Sequence, residues 1–205
     1  MSSNKNKVVV IDYGMNNVQS IIGKLHRKKI NAVKSSEIET IKVADKLILP
    51  GVGHCASAMQ NLKEWGLVDV LKEVVLIDKT PILGICLGCQ LFASWSEEGA
   101  VEGLGFVDAV VRRFSSTCLK IPHVGWNKVC IKQNSPLLKD IKKEKRFYFT
   151  HSYHYGCSDE YVVATTEYGY AFPSIIQKDN VYGVQFHPEK SHLSGFKLIE
   201  NFVNL

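Results

Sequence analysis

Two short segments of the sequence carry side chains suited to nucleophilic chemistry. In Gly84-Ile85-Cys86-Leu87-Gly88, a cysteine lies between two glycines at the end of an apolar run. Small flanking residues suit a tight strand-to-helix turn that exposes the middle side chain, the arrangement called a nucleophile elbow. A helix that begins beside Cys86 would favour the thiolate, which is the reactive form. A buried structural cysteine in a glycine-containing loop is the alternative interpretation.

The second segment ends a strand-like run with His187-Pro188-Glu189. Ligands collect at the C-terminal ends of strands in open α/β sheets, so His187 is a candidate general base. Pro188 stiffens the turn, and Glu189 is close enough in sequence to orient the imidazole. A cysteine, a histidine base and a carboxylate make up a catalytic triad. A histidine bonded to backbone at a strand end is the alternative.

A third segment, Pro50-Gly51-Val52-Gly53, follows another strand-like run. It is suited to direct backbone N–H groups at a developing oxyanion, although a plain tight turn has the same composition. The C-terminal ends of parallel strands share one sheet edge. The three segments can therefore converge, although roughly 100 residues separate Cys86 from His187.

The remaining sequence predicts the elements that would position these segments. Through residue 95, buried β-branched runs alternate with stretches of helical apolar spacing, which is typical of a parallel sheet covered by helices. Strand-like segments dominate residues 105–186, and a last helix is expected near 190–204. We predict a single α/β domain, residues 1–205, with a mostly parallel sheet flanked by helices and a strand-rich second half. The first half is expected to contain strands near 7–12, 32–33, 46–49 and 81–85, and helices near 18–25, 56–77 and 87–95.

Composition excludes several classes of protein. The 205 residues are 45% hydrophobic and 22% charged, which favours a globular chain over a disordered or fibrous one. Apolar runs are far shorter than the roughly 20 residues of a membrane span, and residues 1–7 do not resemble a signal peptide. We therefore expect a cytoplasmic protein that binds no membrane. The net charge of +5 lacks a basic patch interleaved with aromatics, so no nucleic-acid partner is expected.

These segments belong to a longer set that resembles the class I (triad) glutamine amidotransferases, which have a flavodoxin-like fold. The cysteine elbow and His187-Pro188-Glu189 are features of the whole class. Other segments resemble more specifically the type of glutaminase subunit that serves imidazole glycerol phosphate synthesis in histidine biosynthesis. The resembling segments are 12–15, 49–53, 84–90, 96–99, 122–127, 148–153 and 183–191.

The resemblance implies a reaction and the residues that perform it. Cys86 would attack the side-chain amide of glutamine, and His187, oriented by Glu189, would protonate the departing ammonia. Water would then hydrolyse the γ-glutamyl thioester to glutamate, with no metal or organic cofactor. The further positions implied are the backbone of Val52, Gly53 and Leu87 for the oxyanion, Gln90 and Glu98 for the α-amino end of glutamine, and the main chain of Ser152 and Tyr153 for its carboxylate.

The resemblance also implies a partner. Free ammonia would be lost as ammonium, so such subunits form a heterodimer with a (β/α)8 synthase that receives ammonia through a protected channel. Asn16, Asn17 and Lys190 match positions that face this partner. For Lys190, an exposed lysine at the start of the last helix is the alternative.

Departures from the family pattern bear on the pathway. Cys89 replaces a usual Met, Asn16 replaces Gly, and His54-Cys55 follows the glycine turn. Residues 191–195 resemble paralogues of bacterial surface-sugar pathways, whose synthase partner amidinates a sugar nucleotide. None of these departures touches the predicted triad, so that paralogue remains an alternative for the acceptor.

Other interpretations of the same motifs remain. Cys86 and Cys89 form a C-x-x-C pair, which could be a redox site. A cysteine peptidase or γ-glutamyl hydrolase would share the triad, whereas a scaffolding protein would lack one of its members. His151-x-x-His154 could be a metal pair, but we interpret it as part of the substrate pocket. The six cysteines, without a secretion signal, are expected to be free thiols.

Overall fold

A computed structural model of the protein describes residues 7–15, 18–115, 119–142 and 145–205. The strands are β1 (Val8–Ile11), β2 (Ala32–Ser35), β3 (Lys46–Gly51), β4 (Ile82–Cys86), β5 (Trp95–Ser96), β6 (Val101–Glu102), β7 (Ala109–Arg113), β8 (His123–Ile131), β9 (Lys145–His151), β10 (Tyr153–Cys157), β11 (Val162–Tyr168), β12 (Tyr170–Lys178) and β13 (Val181–Val184). The helices are α1 (Val18–Arg27), α2 (Ile38–Lys42), α3 (Cys55–Glu64), α4 (Leu67–Lys72), α5 (Leu87–Gln90) and α6 (His192–Val203). A π-helical turn, Glu73–Ile77, extends α4, and 3-10 turns cover Pro136–Leu138, Asp159–Tyr161 and Pro188–Lys190.

The described strands form a nine-stranded sheet in the order β2-β1-β3-β4-β13-β12-β11-β8-β9. The first five strands pair in parallel, and the remaining four continue the sheet in antiparallel pairs. A four-stranded sheet, β10-β7-β5-β6, lies beside it. The predicted α/β class is therefore confirmed, with a parallel core and antiparallel strands in the second half.

Both faces of the parallel core are buried, as the β-branched runs predicted. In β1, Val8 and Val10 pack in one apolar cluster with α1 and α6, while Val9 and Ile11 pack in the other with α3 and α4. Alternate side chains of a strand point to opposite faces, so a strand covered on both sides is apolar throughout. This burial fixes the register of the strands, whose ends carry the candidate site.

The helix after Cys86 is shorter than the sequence predicted. A helix was expected near residues 87–95, but α5 ends at Gln90. The carbonyl oxygens of residues 91, 92 and 93 accept hydrogen bonds from the N–H groups of Leu104, Val107 and Gly105, respectively. Backbone groups bound to a crossing segment are not available to continue a helix. The apolar residues 91–93 are therefore buried in a loop.

The described residues contain no helix that is both long and apolar enough to cross a bilayer.

Gly88 permits the close approach of α5 to β3. A Cβ atom at this position would overlap the carbonyl oxygen of Leu49, which is fixed backbone. We expect Gly88→Ala to lower the free energy of unfolding by about 3 kcal/mol or more, because neither element can move cheaply. Denaturant titration of purified variants measures this loss.

Gly23, within α1, is the matched control for that substitution. A Cβ atom there would meet no atom within 4 Å. Gly23→Ala should raise stability by about 0.5–1 kcal/mol, because alanine reduces the freedom of the unfolded chain. Equal effects of the two substitutions would contradict the packing argument.

Candidate active site

Cys86 occupies a strained turn between β4 and α5. Its backbone angles are φ 53° and ψ −109°, a conformation that costs a non-glycine residue about 1–3 kcal/mol. The helix begins at the next residue, Leu87, and the Cys86 side chain lies almost fully buried. This is the predicted elbow: the backbone turns sharply and presents the thiol at the C-terminal edge of the sheet.

His187 reaches the same edge because β13 pairs in parallel with β4. Val184 lies opposite Ile85, so the chain beyond β13 continues alongside Cys86. The His187 N–H donates to the Tyr148 carbonyl at 2.9 Å, which holds the turn in place. The imidazole and Glu189 are both buried, and Nδ1 donates to Glu189 Oε1 at 2.7 Å. The carboxylate therefore fixes the ring and its tautomer.

The three side chains are coupled electrostatically. Burial lowers the pKa of His187, but the charge and hydrogen bond of Cys86, together with Glu189, outweigh it and raise the pKa to about 10. An imidazole with this pKa carries a proton at neutral pH. Thiolate and imidazolium therefore form an ion pair beside the elbow, which is the state ready for nucleophilic attack.

The glycine loop lies next to the elbow through the pairing of β3 with β4. Gly51 is the partner of Cys86 in that register, so Val52 and Gly53 continue directly past the thiol. The Tyr13 hydroxyl donates to the Pro50 carbonyl at 2.7 Å and anchors the start of the loop. Gly53 has φ +132°, in the region that favours glycine. The loop therefore depends on glycine for its shape.

A cavity of about 220 Å³ collects the residues predicted for substrate and oxyanion binding. It is smaller than the pockets that hold drug-sized ligands, which suits a molecule the size of an amino acid. A larger open groove of about 410 Å³ near residues 131–141 contains neither a cysteine nor a histidine. The residues that line the smaller cavity are Val52, Gly53, Cys86, Leu87, Gln90, Glu98, Thr150, His151, Ser152 and Tyr153.

The polar side chains of the cavity wall are fixed by hydrogen bonds. Gln90 Nε2 donates to the Tyr153 carbonyl at 2.9 Å and to Gln185 Oε1 at 3.0 Å. Glu98 Oε2 accepts from the Cys55 N–H at 2.9 Å. Burial raises the pKa of Glu98, while that hydrogen bond and nearby His54 lower it. Gln90 and Glu98 are thus held at the wall where an α-amino group would bind.

Gln185 is a site residue that the sequence analysis did not single out. Its side chain is buried between Gln90 and Cys86, and its Nε2 donates to Cys86 Sγ at 3.8 Å. A polar residue two positions before His187, inside an apolar strand run, was the available signal. Thr150 was also missed: its carbonyl lies 3.9 Å from Cys86 Sγ.

The positions predicted to face a partner differ in what can be said of them. Lys190 is exposed, and its ammonium lies 5.7 Å from the centre of the Tyr148 ring. Asn16 and Asn17 lie outside the described residues. Lys190 is therefore accessible from solvent at the rim of the candidate site.

The geometry does not favour a redox or metal site. Cys89 points into the apolar cluster on the opposite side of the sheet from Cys86, and burial raises its thiol pKa well above the usual value. Both ring nitrogens of His154 are engaged, with the Tyr155 carbonyl at 2.9 Å and the Tyr170 hydroxyl at 2.8 Å. A histidine bound on both nitrogens has no lone pair to offer a cation.

Comparison with known proteins agrees with this geometry. Residues 9–205 match the family Glutamine amidotransferase class-I. The chain is 49% identical to "Imidazole glycerol phosphate synthase subunit HisH 2" of Methanococcus maripaludis over 96% of this chain and 98% of that protein. It is 46% identical to "Imidazole glycerol phosphate synthase subunit HisH 1" of Campylobacter jejuni over 97% of this chain and 100% of that one.

Solved structures share the fold at lower identity. A putative GMP synthase component from Thermoplasma acidophilum superposes with a TM-score of 0.75 at 19% identity, covering 99% of this chain and 94% of its own. A structure described as a glutamine amidotransferase superposes with a TM-score of 0.76 at 18% identity, covering 96% and 97%. Both likenesses support the α/β architecture described above.

Proposed function

The chain belongs to the class I glutamine amidotransferase family, and on that premise we propose that it is the glutaminase subunit of an imidazole glycerol phosphate synthase in histidine biosynthesis. The near full-length relatives that bear this name support the pathway. We place the protein in the cytoplasm, as a single amidotransferase domain over residues 1–205.

One observation carries the proposal. The cavity of about 220 Å³ places a cysteine elbow, a glycine loop and two fixed polar side chains around one small space. The buried His187–Glu189 pair, bonded at 2.7 Å, is coupled to the same cysteine. A small ligand with an amide at one end and an amino acid group at the other fits this distribution.

The proposed reaction begins with glutamine bound by both ends of its backbone. Glu98 and Gln90 receive the α-amino group, and the main chain of Ser152 and Tyr153 receives the α-carboxylate. The side-chain amide then extends toward Cys86. Holding both ends fixes the reacting carbon near the thiolate, which lowers the entropic part of the barrier.

Cys86 Sγ forms a bond to the amide carbon, and the carbonyl oxygen becomes an oxyanion. Backbone N–H groups of Val52, Gly53 and Leu87 stabilise that charge. The C–N bond then breaks, and the imidazolium of His187 gives its proton to the departing ammonia. Neutral His187 next removes a proton from water as the water attacks the thioester. Glutamate leaves, and the thiolate and imidazolium are restored.

An exposed face beside His187 supports docking of a (β/α)8 synthase partner. We call it the docking face and define it by Trp126, Tyr148, Lys190 and His192. The Trp126 and His192 rings stack with centroids 4.9 Å apart, and 42% of Trp126 is exposed. Exposed aromatic side chains of this kind are enriched at protein interfaces. Because Tyr148 bonds the His187 backbone, ammonia released at Cys86 forms close to this face.

The test is glutamate release from glutamine, measured for the chain alone and with a histidine-pathway cyclase barrel loaded with its nucleotide ligand. We expect strong stimulation by the loaded barrel and none when Cys86→Ala replaces the natural chain. Ammonia transfer into the barrel's product would support both the reaction and the pathway.

Two other outcomes would contradict parts of the proposal. Labelling of Cys86 by a diazoketone analogue of glutamine without stimulation by the barrel would keep the glutaminase and point to the synthase that amidinates a sugar nucleotide. Failure of both labelling and turnover would contradict the glutaminase itself.

A further inference from the structure

Two buried histidines outside the proposed triad connect the edge of the sheet to the substrate cavity. His123 on β8 and His151 on β9 lie directly opposite each other in the antiparallel register. His123 Nδ1 is 3.0 Å from His151 Nε2, and His151 Nδ1 is 2.7 Å from the Tyr153 carbonyl. On the outer side, Asn127 Nδ2 lies 3.2 Å from His123 Nε2.

These contacts permit one arrangement of protons. The Tyr153 carbonyl only accepts, so His151 Nδ1 carries a hydrogen and, in the neutral ring, Nε2 accepts. His123 Nδ1 must then donate, which leaves His123 Nε2 to accept from Asn127. The Asn127 amide has the required orientation, because its Nδ2 also donates to the Glu167 carbonyl at 2.8 Å. The chain of donors therefore runs inward, from Asn127 to Tyr153.

Burial keeps both rings neutral, as this arrangement requires. It lowers the pKa of His123 to about 4 and that of His151 to about 3. The His123 ring also stacks on Tyr168, with centroids 4.0 Å apart. The two rings are thus fixed both by hydrogen bonds and by packing.

The inner end of the chain holds the turn proposed to bind the α-carboxylate of glutamine. The Tyr153 carbonyl accepts from both His151 and Gln90. The preceding carbonyl, of Ser152, accepts from the Phe114 N–H at 3.1 Å. In a trans peptide the C=O and N–H point in opposite directions, so fixing the Ser152 carbonyl also fixes the direction of the Tyr153 N–H. Two consecutive peptide units at the cavity wall are therefore set by these bonds.

We propose that His123 and His151 are positioning residues that hold the Ser152–Tyr153 turn in the shape that binds the α-carboxylate of glutamine, an inference that rests on the proposed function. Neither residue is assigned a role in the chemical step. The outer end of the chain, Asn127, adjoins Trp126 of the docking face. The same hydrogen bonds therefore link that face to the substrate turn.

The test compares two reagents that reach Cys86 with different requirements. The diazoketone analogue of glutamine needs the carboxylate turn, whereas iodoacetamide has no carboxylate and does not. In His123→Phe the ring stack on Tyr168 is kept, but the donor to His151 is lost. We expect the concentration of analogue that gives half-maximal labelling to rise about five- to thirtyfold, the effect of losing one or two buried hydrogen bonds. The rate of iodoacetamide alkylation should stay within about twofold.

Two further variants separate positioning from general damage. His123→Asn restores a donor near the position of Nδ1 while removing the ring stack, so half-maximal labelling should return toward the natural value even if stability falls. Tyr168→Phe removes the hydroxyl that bonds the Lys120 carbonyl but leaves the histidine chain intact, so labelling by the analogue should not change. Parallel losses in Tyr168→Phe and His123→Phe would contradict a specific role.

Saturable labelling of the natural chain, with unchanged half-maximal concentration in His123→Phe, would overturn this inference and leave the proposed function standing. Alkylation of the natural chain by iodoacetamide but not by the glutamine analogue would overturn both. The two failures are therefore distinguishable within one set of measurements.

Discussion

Replacement of Cys86 by alanine will lower glutamate release by a factor on the order of 10⁴ or more, since alanine has no atom that can form the thioester. The fold should persist, because Cys86 lies at an elbow whose shape is set by its neighbours, and alanine keeps the Cβ atom at the same backbone angles. Glutamate production, followed by a coupled assay, measures the loss of activity. Circular dichroism and thermal unfolding report on the fold.

Cys89→Ala is the matched control for that variant. Cys89 is a buried thiol three residues away, on the other side of the sheet. Removing its sulfur should cost stability of about 1 kcal/mol while leaving activity within a few fold of the natural value. Comparable losses of activity in both variants would contradict a single nucleophile and favour the C-x-x-C interpretation.

Cys86→Gly adds a check on the geometry of the elbow. At φ 53° a non-glycine residue is strained, so glycine should make the protein more stable than alanine at this position by about 1 kcal/mol. A less stable glycine variant would indicate that the turn is not strained in solution.

The central part of this site could be predicted from sequence because it depends on local patterns. A glycine before and after Cys86 predicts an elbow, and β-branched runs predict buried parallel strands. Parallel pairing then requires the strand ends to share an edge. The register that places Gly51 beside Cys86, and Val184 beside Ile85, follows from this rule.

What could not be predicted depends on pairing between distant segments. The sequence suggests a longer helix after Cys86, and only the crossing segment at residues 104–107 ends it. His123 and His151 are 28 residues apart, and their contact exists because β8 and β9 pair in one particular register. A shift of one residue would turn one of these side chains to the other face of the sheet. Single-sequence patterns do not fix such a register.

The second large effect is expected for Glu189→Gln. The glutamine amide is close in shape to the carboxylate and can still accept from Nδ1, but it carries no charge. Glu189 supplies part of the interaction that raises the pKa of His187 to about 10, so the pKa should fall and the thiolate–imidazolium pair should weaken. We expect glutamate release to fall by about 10²–10⁴-fold, as with other triads that lose the carboxylate.

The pH dependence separates this explanation from simple damage to the fold. In the natural protein the rate of Cys86 alkylation should change little between about pH 6 and 9, since His187 stays protonated across that range. In Glu189→Gln the rate should rise with pH, because less imidazolium is present to stabilise the thiolate. A raised native pKa also adds stability below the unfolded value of about 6.5, which is lost as pH rises toward 10. The stability difference between the two proteins should therefore be larger at pH 6 than at pH 10, and a pH-independent difference together with a flat alkylation profile would contradict the role assigned to Glu189.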